Sequence, residues 1–293
     1  MNQESSNYAS ATQKDLLYLL SRKSKEGDQH IPAWTGFNSV LTTKSIPVAT
    51  IGYLPFIRAS PSDLSTIYTI LLKLVHVAEK LNQSHILVTA DLAIYSKAQE
   101  ILWTKPVLLL GKVSMRLGGM HLTMAFLASI GKLFGDGGLH SLLTESGVYA
   151  DATAQMMLQG KQLSRGVRAI KLVNEALGRL FLDALEAWLA QQNRTLLREP
   201  LTQKLRELQQ AFNPLSQENA QIIASSIEQE HLAEVQEIIA EFQEEGSKTS
   251  ETFAYWNKYM EGSDVLLHLM RSERDADFDL QDFTTMPNMP QCM

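Results

Sequence analysis

Asp91 closes the apolar run His85-Ile86-Leu87-Val88-Thr89-Ala90. A carboxylate at the carboxyl end of such a strand in an open α/β sheet stands where ligands and metals bind. Divalent-metal chemistry on phosphodiesters needs several such oxygens converging, because hard cations take carboxylate ligands and a two-metal site keeps its ions ~3.5–4 Å apart. His121 follows Gly118-Gly119, and Glu145 sits in Leu142-Leu143-Thr144-Glu145-Ser146-Gly147. Either could approach Asp91 if the two strand ends are neighbours. Each also has a plainer role open to it. Asp91 can cap the helix that follows, which is the reading the residues alone favour. His121, beside Met120 and Leu122, can be a partly buried polar group, and Glu145 a solvated loop acid.

The paired glycines before a helix could admit a phosphate to free helical N–H groups, a weak signal on its own. Lys161, Arg165, Arg168 and Arg179 gather on one side of a helical pattern, opposite Leu163, Val167, Ile170, Leu177, Phe181, Leu185 and Trp188. Such a stripe could track a nucleic-acid backbone, or be the solvated side of a surface helix. The aromatics Phe253, Tyr255, Trp256 and Tyr259 read as core before they read as a base-stacking platform. The chain holds no G-x-G-x-x-G, Walker A, H-E-x-x-H, C-x-x-C or G-x-S-x-G pattern, so the common nucleotide, zinc protease, redox and serine hydrolase signatures lack support.

At 293 residues, 45% hydrophobic and 20% charged, the chain can bury a sizeable core, and fibrous and small disulfide-stapled classes are excluded. The single cysteine, Cys292, and the absence of a signal-like N-terminus point to an intracellular protein, with the nucleus among its compartments and secretion not expected. The longest uncharged apolar stretch, Leu117 to Gly131, falls short of the ~20 residues that cross a bilayer, so no membrane partner is expected. The net charge of −6 is unevenly placed. Residues 228 to 282 hold fifteen acids against four bases, net −11, which leaves +5 elsewhere. A uniformly basic surface for nucleic acid is therefore absent, and phosphates would be attracted only locally.

These side chains must be positioned by the elements between them. Residues 1–45 read as an N-terminal arm docking on a body, with Trp34 as its anchor. Residues 46–150 read as an α/β core: a strand in Pro47 to Ile57, a helix from Pro61 to Leu81 opened by Ser60-Pro61-Ser62-Asp63, and a strand at His85 to Ala90 buried on both faces. A helix over Leu92 to Trp103, a strand within Val107 to Leu117 and a helix from Met120 to Phe134 complete it, and Gly135-Asp136-Gly137-Gly138 breaks the last. Residues 151–283 read as a helical region, with helices over Lys161 to Gln191, Leu201 to Phe212, Gln217 to Glu245 and Thr252 to Arg274. Residues 284–293 read as a disordered tail. The fold class expected is thus a short, mostly parallel sheet with flanking helices, followed by a mainly α-helical region.

Several ordered segments carry a resemblance. They are Ile31-Pro32-Ala33-Trp34-Thr35-Gly36-Phe37-Asn38, Leu54-Pro55-Phe56-Ile57, Val88-Thr89-Ala90-Asp91-Leu92-Ala93-Ile94-Tyr95, Arg116-Leu117-Gly118-Gly119-Met120-His121, Thr144-Glu145-Ser146-Gly147, Arg165-Gly166-Val167-Arg168-Ala169 and Phe253-Ala254-Tyr255-Trp256. Over Ile31 to Leu280 the chain resembles a multicopy family of transposable-element-derived proteins in animals and fungi. That resemblance implies a ribonuclease-H-like transposase core in which strand-end carboxylates bind two divalent ions. Asp91, His121 and Glu145 match the family's strand-end Asp, Gly-x-His and Glu-Ser-Gly positions. Ala90 stands where an aromatic residue is usual, and Ile170 where His is frequent. Longer members carry an upstream aspartate segment and downstream Asp-His and Asp-Gln-x-His-Glu segments beyond this chain's span, so the resemblance implies that only one acidic corner of the metal site, Asp91, is kept.

The reading that follows is a truncated or domesticated transposase-derived protein without catalysis, which binds DNA through Lys161, Arg165, Arg168 and Arg179 or binds partner proteins through its helical region. Two alternatives stand beside it. One is a metal-dependent nuclease using Asp91, with Mg2+ as its cofactor. The other is an acidic helical protein-interaction module.

Overall fold

Apolar side chains recurring every third or fourth position run through most of this chain, and the fold follows them: the protein is 77% helical. The computed structural model describes residues 3–23, 31–42, 48, 50–105, 109, 111–212 and 216–285. Two compact units are present. One is Pro47–Phe126; the other combines Met1–Ile46 with Leu127–Met293. The boundary between them lies at 126, inside a helix, rather than at 150.

The larger unit is built of helices alone among its described residues. Its N-terminal part supplies α1 (Gln3–Lys23) and α2 (Trp34–Leu41). The smaller unit supplies α3 (Leu64–Lys80), β1 (Ile86–Ala90), α4 (Leu92–Thr104) and β2 (Val113–Leu117), and α5 (Gly119–Phe134) contains the boundary. After a π-turn at Gly135–Leu139 come α6 (His140–Glu145), α7 (Asp151–Leu158) and α8 (Leu163–Gln191). The chain continues through α9 (Glu199–Ala211), α10 (Gln217–Glu230), α11 (Leu232–Thr249), α12 (Glu251–Asp275) and α13 (Phe278–Thr285). Among the described residues no helix is long and apolar enough to cross a membrane.

The 29-residue α8 is the long rod of the larger unit, and its inward positions, Ala169, Ile170, Val173, Leu182, Leu185 and Leu189, keep the spacing of one helical face. Against it and its neighbours pack Leu17 and Leu20 of α1, Phe37 of α2, Leu205 and Leu208 of α9, Ile227 of α10 and Leu267 of α12, all buried in one core. Each such side chain contributes ~1.5–3 kcal/mol when taken fully from water. Phe37 is clamped between rings, stacked on Phe212 at 4.8 Å and edge-on to Tyr18 at 5.3 Å. The N-terminal segment is therefore no appended arm: α1 is part of the core. Residues 263 to 272 of α12 are buried around most of the helix circumference, so this helix runs through the middle of the unit. Ser250 opens it, its hydroxyl accepting the Phe253 N–H.

In the smaller unit β1 and β2 pair in parallel, Ile86 opposite Val113 through Ala90 opposite Leu117. A core of Ile67, Leu71, Val75, Ala98, Ile101 and Leu102 from α3 and α4 covers one face. The other face is open: β1 alternates between half-buried and exposed residues, with Leu87 53% exposed.

These observations correct the expected fold class. The sheet has two strands among the described residues, and the molecule is mainly helical rather than a ribonuclease-H-like α/β core followed by helices. The β-branched and aromatic run expected as a strand in Pro47 to Ile57 forms none over Val48 and residues 50–57, where Tyr53 and Phe56 are almost fully exposed. Strand propensity expresses a fit to a pleated, half-buried surface, and without a paired neighbour it produces no strand. The buried-on-both-faces reading of residues 85–90 fails for the same lack of neighbours. The expected helix Gln217 to Glu245 is two, broken at His231, and the helix expected from Pro61 begins at Leu64 with Asp63 as its N-cap. Residues 47, 49, 107, 108 and 110 of the expected strands, Cys292 and the tail beyond Thr285 lie outside the described residues.

Gly131 shows how closely α5 packs in the larger unit. A Cβ built there would lie 1.9 Å from the Leu158 carbonyl oxygen, a backbone atom that can yield only if α7 shifts. Gly131→Ala is expected to lower stability by about 1–3 kcal/mol despite alanine's better helix propensity. Urea unfolding reads this as a reduced midpoint, and an unchanged or raised midpoint would contradict the packing.

Candidate functional site

Each sequence-derived candidate has a definite place. Asp91 is exposed, and its Oδ1 accepts the Ile94 N–H at 2.8 Å, so its carboxylate caps α4. His121 is half-buried in the first turn of α5, just after β2. Glu145 is exposed at the end of α6, in the other unit. Among the described residues no group of three or more His, Cys, Asp or Glu is placed to hold a metal ion. The Gly118 N–H is taken by the Ala90 carbonyl at 2.8 Å, continuing the strand ladder instead of waiting for a phosphate.

The cationic stripe is shorter than its spacing suggests. Arg165 and Arg168 are exposed on α8 and have no ion-pair partner among the described residues, while Lys161 lies just before the helix and donates to Gln159. Arg179 is half-buried and occupied: it pairs with Glu175 at 3.4 Å and donates to the Arg22 carbonyl. The acids after Glu228 pair elsewhere, Glu230 with Lys204, Glu234 with Arg198 and Glu241 with Arg194. Trp256 packs edge-on against Tyr255 and Tyr259, as a core residue does.

A different constellation lies in the larger unit, in a cavity of about 280 Å3 between α1, α2, α8, α11 and α12. Apolar walls come from Leu16, Leu19, Phe181, Ile239, Met260 and Leu267. Polar groups enter from four helices: Asp15, Trp34, Lys171 and Asn174, Asp264 and His268. Gly178 lets α1 close on α8 here, since a Cβ at that position would meet the Leu19 side chain at 2.8 Å.

Asp15 is the hub. Its Oδ1 accepts from Trp34 Nε1 at 2.7 Å and from Arg271 Nη2 at 2.5 Å. Its Oδ2 faces His268 Nε2 at 2.9 Å, so the imidazole hydrogen there is assigned to Nε2. Burial by itself would raise this carboxyl, but Arg271, His268 and the Trp34 N–H together hold it below the ordinary carboxylate range. Arg271 is itself buried and donates further to the Ala11 carbonyl and to Asn38 Oδ1. Trp34 is thus the anchor that the sequence around it suggests, fixed by a hydrogen bond and by two cations over its ring, Lys171 Nζ at 4.6 Å and Arg271 at 5.4 Å.

Asp264 lacks such compensation. Asn174 Nδ2 donates to its Oδ1 at 2.8 Å, and no cation pairs with it among the described residues. Burial, followed by the charge of Asp15, pushes this carboxyl up to about 6. Lys171 donates to Thr35 Oγ1 at 2.7 Å, and burial, with Arg274 nearby, pulls its amine down to about 8. His268 is almost wholly buried, and its Nδ1 has no hydrogen-bond partner among the described residues. On the far wall Glu175 is satisfied by Tyr18, Arg22 and Arg179. The cavity therefore combines apolar walls, a carboxylate paired with Arg271 and His268, and a carboxyl with no ion-pair partner among the described residues.

Sequence reasoning did not find this site. Asp15, Lys171, Asp264 and His268 share no motif, and their spacing spans 253 residues between Asp15 and His268. The available signals were weak: a histidine inside the apolar run Val265-Leu266-Leu267-His268-Leu269, and acids at positions where helical periodicity points inward.

The raised Asp264 carboxyl opposes folding at neutral pH. The folded state takes up its proton near pH 6 and the unfolded chain near pH 4, so the penalty is fully present above about pH 6 and is relieved as pH falls toward 4. Asp264→Asn keeps the Asn174 hydrogen bond and removes the penalty. The variant is expected to melt above the parent at pH 8, by up to about 3 kcal/mol at ~1.36 kcal/mol per pH unit, and the two should converge near pH 4. Thermal unfolding across pH 4–8 checks this, and a variant less stable than the parent at pH 8 would contradict it.

No curated protein and no solved structure matches this chain. One family model does, over residues 33–289, nearly the whole of the described fold. The chain belongs to that family, which is described as a domain of unknown function, DUF8702.

Proposed function

We propose that this protein works by binding, and that the cavity between α1, α2, α8, α11 and α12 is the pocket for a small organic ligand. One observation carries the reading: an apolar-walled cavity of about 280 Å3 lined by the half-buried Asp264, whose carboxyl has no ion-pair partner among the described residues. A carboxyl partly withdrawn from water without an ion-pair partner costs stability, and such groups gather where a ligand supplies the missing interaction. In a fragment screen by thermal shift and tryptophan fluorescence, with Trp34 on the cavity wall, small organic molecules should raise the melting temperature and change the emission. Ile239→Trp, which fills the pocket, should abolish both responses. A screen with no responders, or responses that persist in the filled variant, would overturn the proposal.

A second reading concerns nucleic acid and rests on Arg165 and Arg168, exposed at the start of α8 and without an ion-pair partner among the described residues. It accords with the resemblance to transposable-element-derived proteins, in which DNA binding would outlast catalysis. Arg165→Glu with Arg168→Glu should weaken duplex DNA binding and flatten the dependence of log affinity on log salt by about 1.8, at ~0.9 per lost phosphate contact. Fluorescence anisotropy over a salt series measures it, and an unchanged slope would remove these residues from any DNA interface.

A further inference from the structure

Resting on the pocket reading above, we propose that the ligand is a compact organic ammonium: a protonated amine that pairs with Asp264 and an apolar body that fills the space beside Leu19, Phe181, Ile239 and Met260. The charges that face the cavity favour a cationic guest. From α1 come Asp15 and Tyr18, from α8 Lys171 and Glu175, and from α12 Glu261, Asp264 and His268; α11 presents the uncharged Gln236 and Gln243, and Arg271, Tyr8 and Tyr259 act on Asp264 without lining the cavity. Asp15 is met by Arg271 and His268, and Glu175 by Arg22 and Arg179. Glu261 accepts from Asn257 Nδ2 at 3.1 Å and is exposed to solvent. Among the described cavity carboxyls, half-buried Asp264 has a single neutral donor, Asn174, and no ion-pair partner.

The opposite choice, an anionic ligand on Lys171, is less well served. Lys171 already donates to Thr35 and lies over the Trp34 ring, and although burial pulls its amine down to about 8 it still holds its proton at neutral pH without a guest. An anion would also enter beside Asp15 and Asp264, whose charges repel it. An ammonium gains from the same two carboxylates. His268 also lines the cavity and is almost wholly buried, with no hydrogen-bond partner for its Nδ1 among the described residues.

Protonation follows from the pairing. An alkylammonium keeps its proton well above neutral pH, so binding should draw the Asp264 carboxyl into its charged form. Near pH 6, complex formation then releases protons to the buffer, and affinity falls as pH drops below that point. At pH 5 only about one Asp264 in ten is ionised in the free protein, which sets an expected loss of about ten-fold relative to pH 7.5.

The test is calorimetry on the full chain with benzylamine, benzyl alcohol and benzoate, which share a ring and differ in charge. Benzylamine should bind at least ten-fold more tightly than benzyl alcohol at pH 7.5, and its binding heat at pH 6 should vary with buffer ionisation enthalpy. Asp264→Asn should erase both the preference and the proton release while still binding benzyl alcohol. Equal affinity for amine and alcohol, or a preference for benzoate, overturns the ammonium proposal and leaves the pocket standing. Failure of all three to bind overturns the pocket reading itself. The pH series on the unaltered protein decides the matter independently of the variant, because affinity for benzylamine that is flat from pH 7.5 to 5 excludes pairing with Asp264.

Discussion

The buried ion pair of Asp15 with Arg271 is the contact on which the helical unit depends. It joins α1 to α12, and through Trp34 and Asn38 it fastens α2 to the same point. Two charges taken from water recover their solvation only when their remaining hydrogen-bonding capacity is met, and here it nearly is: Asp15 accepts from three side chains, and Arg271 donates to Asp15, Asn38 and the Ala11 carbonyl. Removing one partner of such a pair typically costs ~3–5 kcal/mol, more than any single apolar contact nearby. Because the chain ends of this unit meet there, the first forty residues and the last helices stand or fall together.

That arrangement also accounts for the cavity. Asp15 and Arg271 hold α1 and α12 at a fixed spacing that the side chains between them do not fill. The charge of Asp15 then reaches Asp264, on the same helix as its own partner, and helps keep that carboxyl high. Stability and the cavity thus arise from one set of contacts: one carboxylate is met by Arg271 and His268, and its neighbour by the Asn174 amide.

Local patterns were legible and long-range ones were not. Helices over Leu163–Gln191 and Leu92–Thr104 follow from the spacing of their own apolar residues, and β1 with its capping Asp91 follows from a short apolar run ending in an acid. The run at Pro47 to Ile57 has the same local signature as β1, yet among its described residues no strand forms, because pairing depends on a neighbour the run itself does not encode. The break at His231 is equally silent, since Gln217 to Glu245 keeps helical periodicity across it. The candidate site was illegible for a sharper reason. Asp15, Lys171 and Asp264 each look like an ordinary charged helix residue, and only the packing of four helices makes one of them a hub and leaves another unpaired. Asp91, whose position also allowed a metal ligand, is the N-cap that its residues alone favoured.

The ionisation of Asp264 in the ligand-free protein is the quantity on which the account turns. Carboxyl carbon NMR with aspartate labelled at Cγ, assigned by comparison with Asp264→Asn, reports it directly. A midpoint near 6 is predicted, where the cavity withholds a counter-charge. A midpoint at or below 4, the range of a solvated or ion-paired aspartate, would contradict the account.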